Sequence, residues 1–439
     1  MRTTVDEVLE FVHENDVKFI RLSFCDLFGN LKNISIIPDE LPRAFEHGIP
    51  FDAHAVSGFT DITRSDLLLV PDPATLSVLP WRPQQGRVVR FYCSIKNPDG
   101  SAFWGDTREI LKSVVDRARQ KGYTCMVGAE CEFYLFVTDE KGEPTAVPFD
   151  SGGYLDVYPL DKSENIRREI CLCLEEMGIR PETSHHERGP GQNEVDFKFS
   201  DAVNSADNFI TFKQVVKSIA ARNGLFASFS PKPLPDKSGS GLHVNLSFMQ
   251  NGQNVFRLDG NENSKASESF VAGVLQKISE ITAFLNPVPN SYERLGACEA
   301  PKYISWSHGN RSQLIRIPSD SDERMRMELR SPDPSTNPYL AFALIIAAGL
   351  HGMENSLALP ESMNVDLYAA DESITGKLPR LPENLGYALK LAGKSDFLKN
   401  TLNEQIPENY IRLKTIELQA FGRTTDKRTY FLENYFKMI

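Results

Sequence analysis

The sequence contains no uninterrupted apolar run approaching about 20 residues, the length a membrane-spanning helix requires. Its longest apolar stretch, PYLAFALIIAAGLHGMENSL (338–357), begins at Pro338 and carries Tyr339, His351 and Glu354, and it reads as a helix buried in a folded core. The opening residues, MRTTVDEVLEFVHEND, lack a basic segment followed by an apolar one, so no secretory signal is expected. Positive charge is scarce: 48 Lys and Arg stand against 59 Asp and Glu, for a formal net charge of −11. That balance argues against a nucleic-acid partner, which needs clustered cations, but leaves ATP open, because its phosphates need only a local cationic pocket. The seven cysteines are odd in number and scattered. Cys171 and Cys173 fall in the helix-like ENIRREICLCLEEMG, where core burial explains them and a reducing cytoplasm fits. Internal repeats and low-complexity tracts are absent.

What is present is the composition of a globular protein, 41% apolar and 24% charged over 439 residues, enough for about two or three units at roughly 150 residues each. Val5, Val8, Leu9 and Val12 mark an amphipathic helix. Ile20, Leu22 and Phe24 then alternate with Arg21 and Ser23 as a half-buried strand does, and Gly29-Asn30 turns the chain toward a second strand with Ile34 and Ile36. SDLLLV (65–70) and RVVRFYC (87–93) are further extended pieces. Residues 1–100 therefore read as a small mixed domain, closed by the turn-forming Asn97-Pro98-Asp99-Gly100. A second domain, 101–439, opens with capping-box spacing at Asp106 and Glu109 and continues as alternating strands and helices.

Four segments carry polar patterns that a core does not ask for. In GAECEFYLF (128–136) a strand puts Glu130 and Glu132 on one face and Cys131 and Phe133 on the other. Alone, such a pair also reads as a solvated strand face. In SHHERGPGQNE (184–194), Glu187 and Glu194 flank Gly189-Pro190-Gly191, a turn able to bring both carboxylates toward one point; a polar surface hairpin is the plainer alternative. GSGLHVNLS (239–247) feeds a strand with His243, Asn245 and Ser247 on one face, three polar groups that are costly to bury without a ligand. In RMELR (326–330), Arg326, Glu328 and Arg330 alternate with core-facing Met327 and Leu329; this is either a wet sheet surface or a set of forks for phosphate and carboxylate oxygens. Arg311 and Arg316, in GNRSQLIRIP, add two cations of the same kind. If Glu130, Glu132, Glu187, Glu194 and Glu328 converge, they cannot all stay ionised without positive charge between them, and two divalent cations with oxygen ligands plus His243 supply it.

The order and spacing of these strings, together with FDAHAVSGF (51–59), SDLLLVPDP, PKPLPDKSGSGLHVNLS, NSYERL, NRSQLIRIP and RMELRSPDPSTNPYLAFA, resemble the glutamine synthetase family, bacterial type I class, from end to end. The resemblance implies an α+β fold: a small N-terminal β-grasp-like domain and a C-terminal catalytic domain with a curved antiparallel β-sheet backed by α-helices. It implies a ligase that phosphorylates the γ-carboxylate of glutamate with ATP and then lets ammonium displace the phosphate.

Carried over position by position, Glu132, Glu187 and Glu194 would hold one Mg²⁺ or Mn²⁺, and Glu130, His243 and Glu328 the other. Arg294, Arg311 and Arg330 would hold the amino-acid carboxylates, with Ser238 and Gly239 also at the substrate. Glu182, Phe199, Asn245, Ser247 and Arg326 would line the nucleotide site, with Arg316, and also Arg311, near the phosphates. Glu299 would be the flap carboxylate shielding the intermediate, and Asp52 the group that takes a proton from ammonium. Partners implied are glutamate, ammonium and ATP, plus further copies of the chain: a cytoplasmic dodecamer of two hexameric rings, with Asp52 serving a neighbour's site, and neither nucleic acid nor membrane.

The chain departs from the family pattern at Ala53-His54-Ala55, where Gly-Ser-Ser is usual, and at Ser238, where Asn is usual. It departs again at Glu323, where Lys is usual, and in the C-terminal TDKRTYFLENYF. These changes spare the metal and phosphate residues and bear on the amine. A γ-glutamyl-amine (polyamine) ligase is therefore the alternative, and an inactive regulatory homologue a third reading. Tyr368 reads as an exposed loop tyrosine.

Overall fold

The computed structural model of the chain describes residues 3–82, 84–259, 262–318 and 324–439, so Glu323 lies outside the described residues. The first helix, Val5–Glu14, buries Val8 and Val12. The Thr4 hydroxyl accepts from the Glu7 N–H while the Glu7 carboxylate accepts from the Thr4 N–H, so two orphan donors of the first turn are satisfied. The strand Val17–Cys25 pairs antiparallel with Leu31–Ile36 and parallel with Arg87–Lys96, and Asp66–Pro71 and Ile49–Asp52 extend the sheet beyond Arg87–Lys96. The alternating residues Ile20, Leu22 and Phe24 face the core of this first unit.

Past Lys96 the chain turns through Asn97 and Gly100 and enters the helix Thr107–Gln120, whose N-cap carboxylate, Asp106, accepts from the Arg108, Glu109 and Ile95 N–H groups. Arg108 ties three elements together, with Nη1 3.0 Å from Asp72 and Nη2 2.8 Å from Asp207, both across from its own helix. Asn337 adds a second tie: it caps the helix Pro338–Glu354 and donates to the carbonyls of Asp26 and Leu27 in the N-terminal sheet.

The large sheet runs in the order Trp306–His308, Ile315–Ile317, Met327–Leu329, Leu242–Gln250, Tyr123–Thr138, Gln192–Phe197, Pro181–His186. Its pairs are antiparallel except for the first, Trp306–His308 with Ile315–Ile317, which is parallel. The helices Ala202–Arg222, Lys265–Leu285 and Pro338–Glu354 supply the apolar residues that pack with the sheet in one core. The last of these is the long apolar segment: every residue from Pro338 to Leu350 is buried. Among the described residues no helix is long and apolar enough to cross a membrane. The fold is thus α+β, with a small sheet and two helices (Val5–Glu14 and Leu41–His47) ahead of a larger helix-backed sheet, as the resemblance implies.

Candidate active site

Strand alternation places the side chains, and register brings them together. Cys131 and Phe133 are buried, which turns Glu130 and Glu132 out of the same strand toward the open face of the sheet. Opposite Glu132 lies Glu194, and opposite Glu194 lies His185. On the other edge of the Tyr123–Thr138 strand, His243 pairs with Glu130, and beyond it Asn245 pairs with Glu328 and Glu328 with Arg316. Glu187 joins from the Gly189-Pro190-Gly191 turn. A side chain at Gly189 would start 1.9 Å from the Tyr134 hydroxyl, and one at Gly241 would start 2.6 Å from an Arg294 guanidinium nitrogen, so both positions must lack a Cβ.

The result is a cavity of about 420 Å³ lined by both carboxylates and arginines. Among the described residues, the ligand atoms of Glu130, His243 and Glu328 lie within 4.8 Å of one another, as do those of His185, Glu194 and Asp196. A third such group, Asp150, Asp161 and His186, is fully engaged in structural bonds: Asp150 accepts from Gly191 N, Lys162 N and His186, and Asp161 is paired with Arg167.

Crowding of like charge shows in the protonation of the group. Burial, with Glu187 beside it, pushes the Glu132 carboxyl up to about 7. Burial and the neighbouring Asp196 push Glu194 well above its ordinary range, and burial with Glu130 nearby raises Asp196 to about 6. Glu130 goes the other way: burial alone would raise it, but hydrogen bonds from His243 and Asn245 outweigh burial and hold it at about 2. Burial, together with Arg330, depresses His243, so its imidazole is neutral at pH 7. Carboxylates that resist ionising together, beside a neutral imidazole, form a donor set suited to a divalent cation.

Glu328 is fully buried, and its two oxygens are held by Arg330 at 2.6 Å and Arg316 at 2.5 Å, with His243 3.9 Å away. The guanidinium of Arg326 donates to the Asn245 side-chain oxygen, and the Asn245 amide to Glu130. Arg294 spends its fork on the carbonyls of Ser331 and Arg330, which fixes its position in the wall.

Residues 104–431 match the family described as "Glutamine synthetase, catalytic domain", and residues 16–98 match "Glutamine synthetase, beta-Grasp domain". The chain belongs to the glutamine synthetase family. Among curated relatives it is 44% identical to a glutamine synthetase of Clostridium saccharobutylicum over 437 residues, 98% of each chain. It is 45% identical to one of Methanosarcina mazei over 425 residues, 95% of each. Among solved structures, GmaS in complex with ADP superposes with a TM-score of 0.87 at 30% identity, covering 97% of this chain and 99% of that one. A Plasmodium falciparum glutamine synthetase, at 24% identity and TM-score 0.85, shares the fold over 98% of each chain.

Set against the positions the family resemblance singles out, one cavity gathers Glu130, Glu132, Glu187, Glu194, His243, Ser238, Gly239, Arg294, Glu299, Arg311, Arg316, Arg326 and Arg330, with Glu328 buried next to Glu130 and His243. Phe199 is exposed and sits over Gly128 beside Asn245. Glu182 is exposed on the edge strand, and Ser247 lies on the His243 strand beyond Asn245; neither lines the cavity. Asp52 is exposed at the end of an edge strand of the N-terminal sheet, where its carboxylate accepts from the His54 N–H, and it does not line the cavity of its own chain. Tyr368 is exposed, and its hydroxyl donates to the Arg311 carbonyl.

Seven further residues line the cavity without a role assigned from the sequence: Tyr154, His185, Arg188, Gln192, Asp196, Cys298 and Ala300. Two carried a signal. Asp196 is two residues beyond Glu194 and His185 two before Glu187, so the same alternation that pairs Glu130 with Glu132 puts them on the cavity side. Gln192 positions Glu132, donating to its carboxylate and to the Gly239 carbonyl, both at 3.1 Å.

Proposed function

We propose that this chain makes L-glutamine from L-glutamate and ammonium with ATP, through a γ-glutamyl phosphate, in a cavity that seats two divalent cations, Mg²⁺ or Mn²⁺. The observation that carries the reading is the cross-strand register, which sets Glu194 opposite Glu132, Glu130 opposite His243, and Glu328 opposite Asn245, at a cavity also lined by Arg294, Arg311, Arg316, Arg326 and Arg330.

Glu130, His243 and Glu328 would hold one cation, and Glu132, Glu187 and Glu194 the other, with His185 and Asp196 beside it. Cations held there would supply positive charge to the polyphosphate as the γ-phosphoryl group moves. The chain's own residues bind and orient. Arg294, Arg311 and Arg330, with Ser238 and Gly239, hold glutamate; Asn245, Ser247, Phe199, Glu182 and Arg326 hold the nucleotide; Arg316, and with it Arg311, meets the phosphates. Glu299 keeps water from the acyl phosphate. Asp52 takes the proton that ammonium must lose before it attacks.

Because Asp52 stands away from its own cavity, this reading needs a neighbouring copy to complete each site, and a dodecamer of two hexameric rings provides one. Tyr154, Leu155, Val157 and Tyr158 are exposed beside the cavity, an apolar surface suited to being covered by such a neighbour. The division of labour falls at the turn near residue 100, with 1–100 contributing Asp52 and 101–439 everything else. A cytoplasmic location fits the free thiols.

Phosphate release with Mg²⁺, ATP and glutamate, comparing ammonium with a panel of amines, tests the reading. Ammonium is the expected acceptor. A strong preference for a diamine favours the γ-glutamyl-amine ligase reading, to which the missing hydroxyls at His54 and Ala55 are the pointer. No turnover with any amine favours an inert homologue.

A further inference from the structure

The mouth of the cavity carries an ion pair that the sequence motifs do not account for. Arg188 follows Glu187 on the turn, with its N–H donating to the Glu187 carboxylate at 3.1 Å. Its guanidinium Nη2 stands 2.8 Å from Oε1 of Glu299, and its Cζ is 6.0 Å from the centre of the Tyr154 ring. All of these side chains line the cavity. Glu299 sits on a tight segment: Gly296 N–H bonds the Ala300 carbonyl, and Cys298 and Glu299 both take left-handed backbone angles, φ 46° and 70°. Neither is glycine, so the conformation is strained and persists only where the surroundings hold it. The contact with Arg188 is such a restraint, made from the turn that also carries Glu187.

We infer that Arg188 is a positioning residue, one that holds the Glu299 carboxylate across the acceptor end of the cavity and, through its own charge, disfavours amines bearing a second ammonium group. This rests on the ligase reading above. A monocation nearing Glu299 competes with the guanidinium at a single point. A diamine brings a second positive charge along the same wall, and a like charge a few ångströms from a half-exposed guanidinium costs about tenfold in kcat/KM. Holding Glu299 in place also keeps the acyl phosphate covered until the amine arrives.

Two readouts test this on the full-length enzyme: the putrescine-to-ammonium ratio of kcat/KM, and the phosphate released per glutamine formed. Arg188→Gln is expected to raise the first by about tenfold and to raise the second, while Arg188→Lys, which keeps the charge, stays near the parent in selectivity. In a Glu299→Gln background, Arg188→Gln should add no further loss of coupling, because the partner it holds has lost its charge. Raising the ionic strength should relax the parent's selectivity toward that of the Gln variant. An Arg188→Gln enzyme whose ratio and coupling both stay within about twofold of the parent overturns the inference. If the parent releases no phosphate with glutamate and any amine, the ligase reading falls and takes the inference with it. A parent that turns over ammonium while the substitution changes nothing places the error with Arg188 alone.

Discussion

Glu328 is the side chain whose loss the structure prices most directly. It is fully buried, and its oxygens hold Arg330 at 2.6 Å and Arg316 at 2.5 Å, two guanidinia whose side chains are themselves only 4% and 12% exposed. Replacing Glu328 with Ala leaves two buried positive charges facing each other without a partner, and breaking a buried pair in this way costs about 3–5 kcal/mol. At roughly 2 °C per kcal/mol for a chain of this size, the melting temperature should fall by about 6–10 °C. Glu328→Gln keeps the volume and one hydrogen-bond acceptor, so its loss of stability should be smaller. Both variants should lose ATP- and glutamate-dependent phosphate release, because both remove a charged cation ligand. Calorimetric melting of the two variants beside the parent, followed by a phosphate-release assay, checks the chain of reasoning. An Ala variant that melts within about 1 °C of the parent and turns over normally refutes it, since neither the ion-pair nor the ligand role could then be right.

Other outcomes follow from the same geometry. Glu132, raised to about 7, must shed its proton to bind a cation, so divalent-ion affinity should rise with pH up to about 7 and fall about tenfold per pH unit below it for each proton displaced. Calorimetric titrations in buffers of different ionisation enthalpy detect that release, and a buffer-independent enthalpy at pH 6.5 contradicts the raised carboxyl. For Asp52→Ala, acyl-phosphate formation should persist while glutamine formation drops by about 10²-fold or more, measured as hydroxylamine-trapped intermediate against glutamine; equal rates of glutamine formation would remove Asp52 from the chemistry. Gly189→Ala puts a methyl group 1.9 Å from the Tyr134 hydroxyl, so the turn carrying Glu187 must shift at a cost of about 1–3 kcal/mol, read as a lower melting point and weaker cation binding.

Local pattern makes part of this site legible in the sequence alone. Period-two alternation puts Glu130 with Glu132, His243 with Asn245 and Ser247, and Arg326 with Glu328 and Arg330; Glu130, Glu132, His243, Arg326 and Arg330 line the cavity, Ser247 does not, and Cys131, Phe133, Val244, Met327 and Leu329 lie in the core. The apolar 338–350 run is likewise the buried helix its tyrosine and missing length imply. Register was beyond such reading. Nothing within GAECEFYLF says that Glu132 will face Glu194 or Glu130 face His243, because those pairings are set by how distant strands meet in one sheet. The order of the motifs, through the family resemblance, carried that information instead. Asp196 and His185 obey the same alternation as Glu194 and Glu187, which places them on the cavity side. The Arg188–Glu299 pair joins two loops far apart in sequence, so no spacing announces it.

Counting bound ions goes most directly to the central claim. Equilibrium titration of the assembled protein with Mn²⁺, followed by its electron paramagnetic resonance signal, should find two ions per chain. Glu132→Gln and His243→Ala should each abolish a different one and leave the other. A parent that binds no ion at either group, or variants that both retain two, would contradict the claim that these side chains gather to seat a pair of divalent cations.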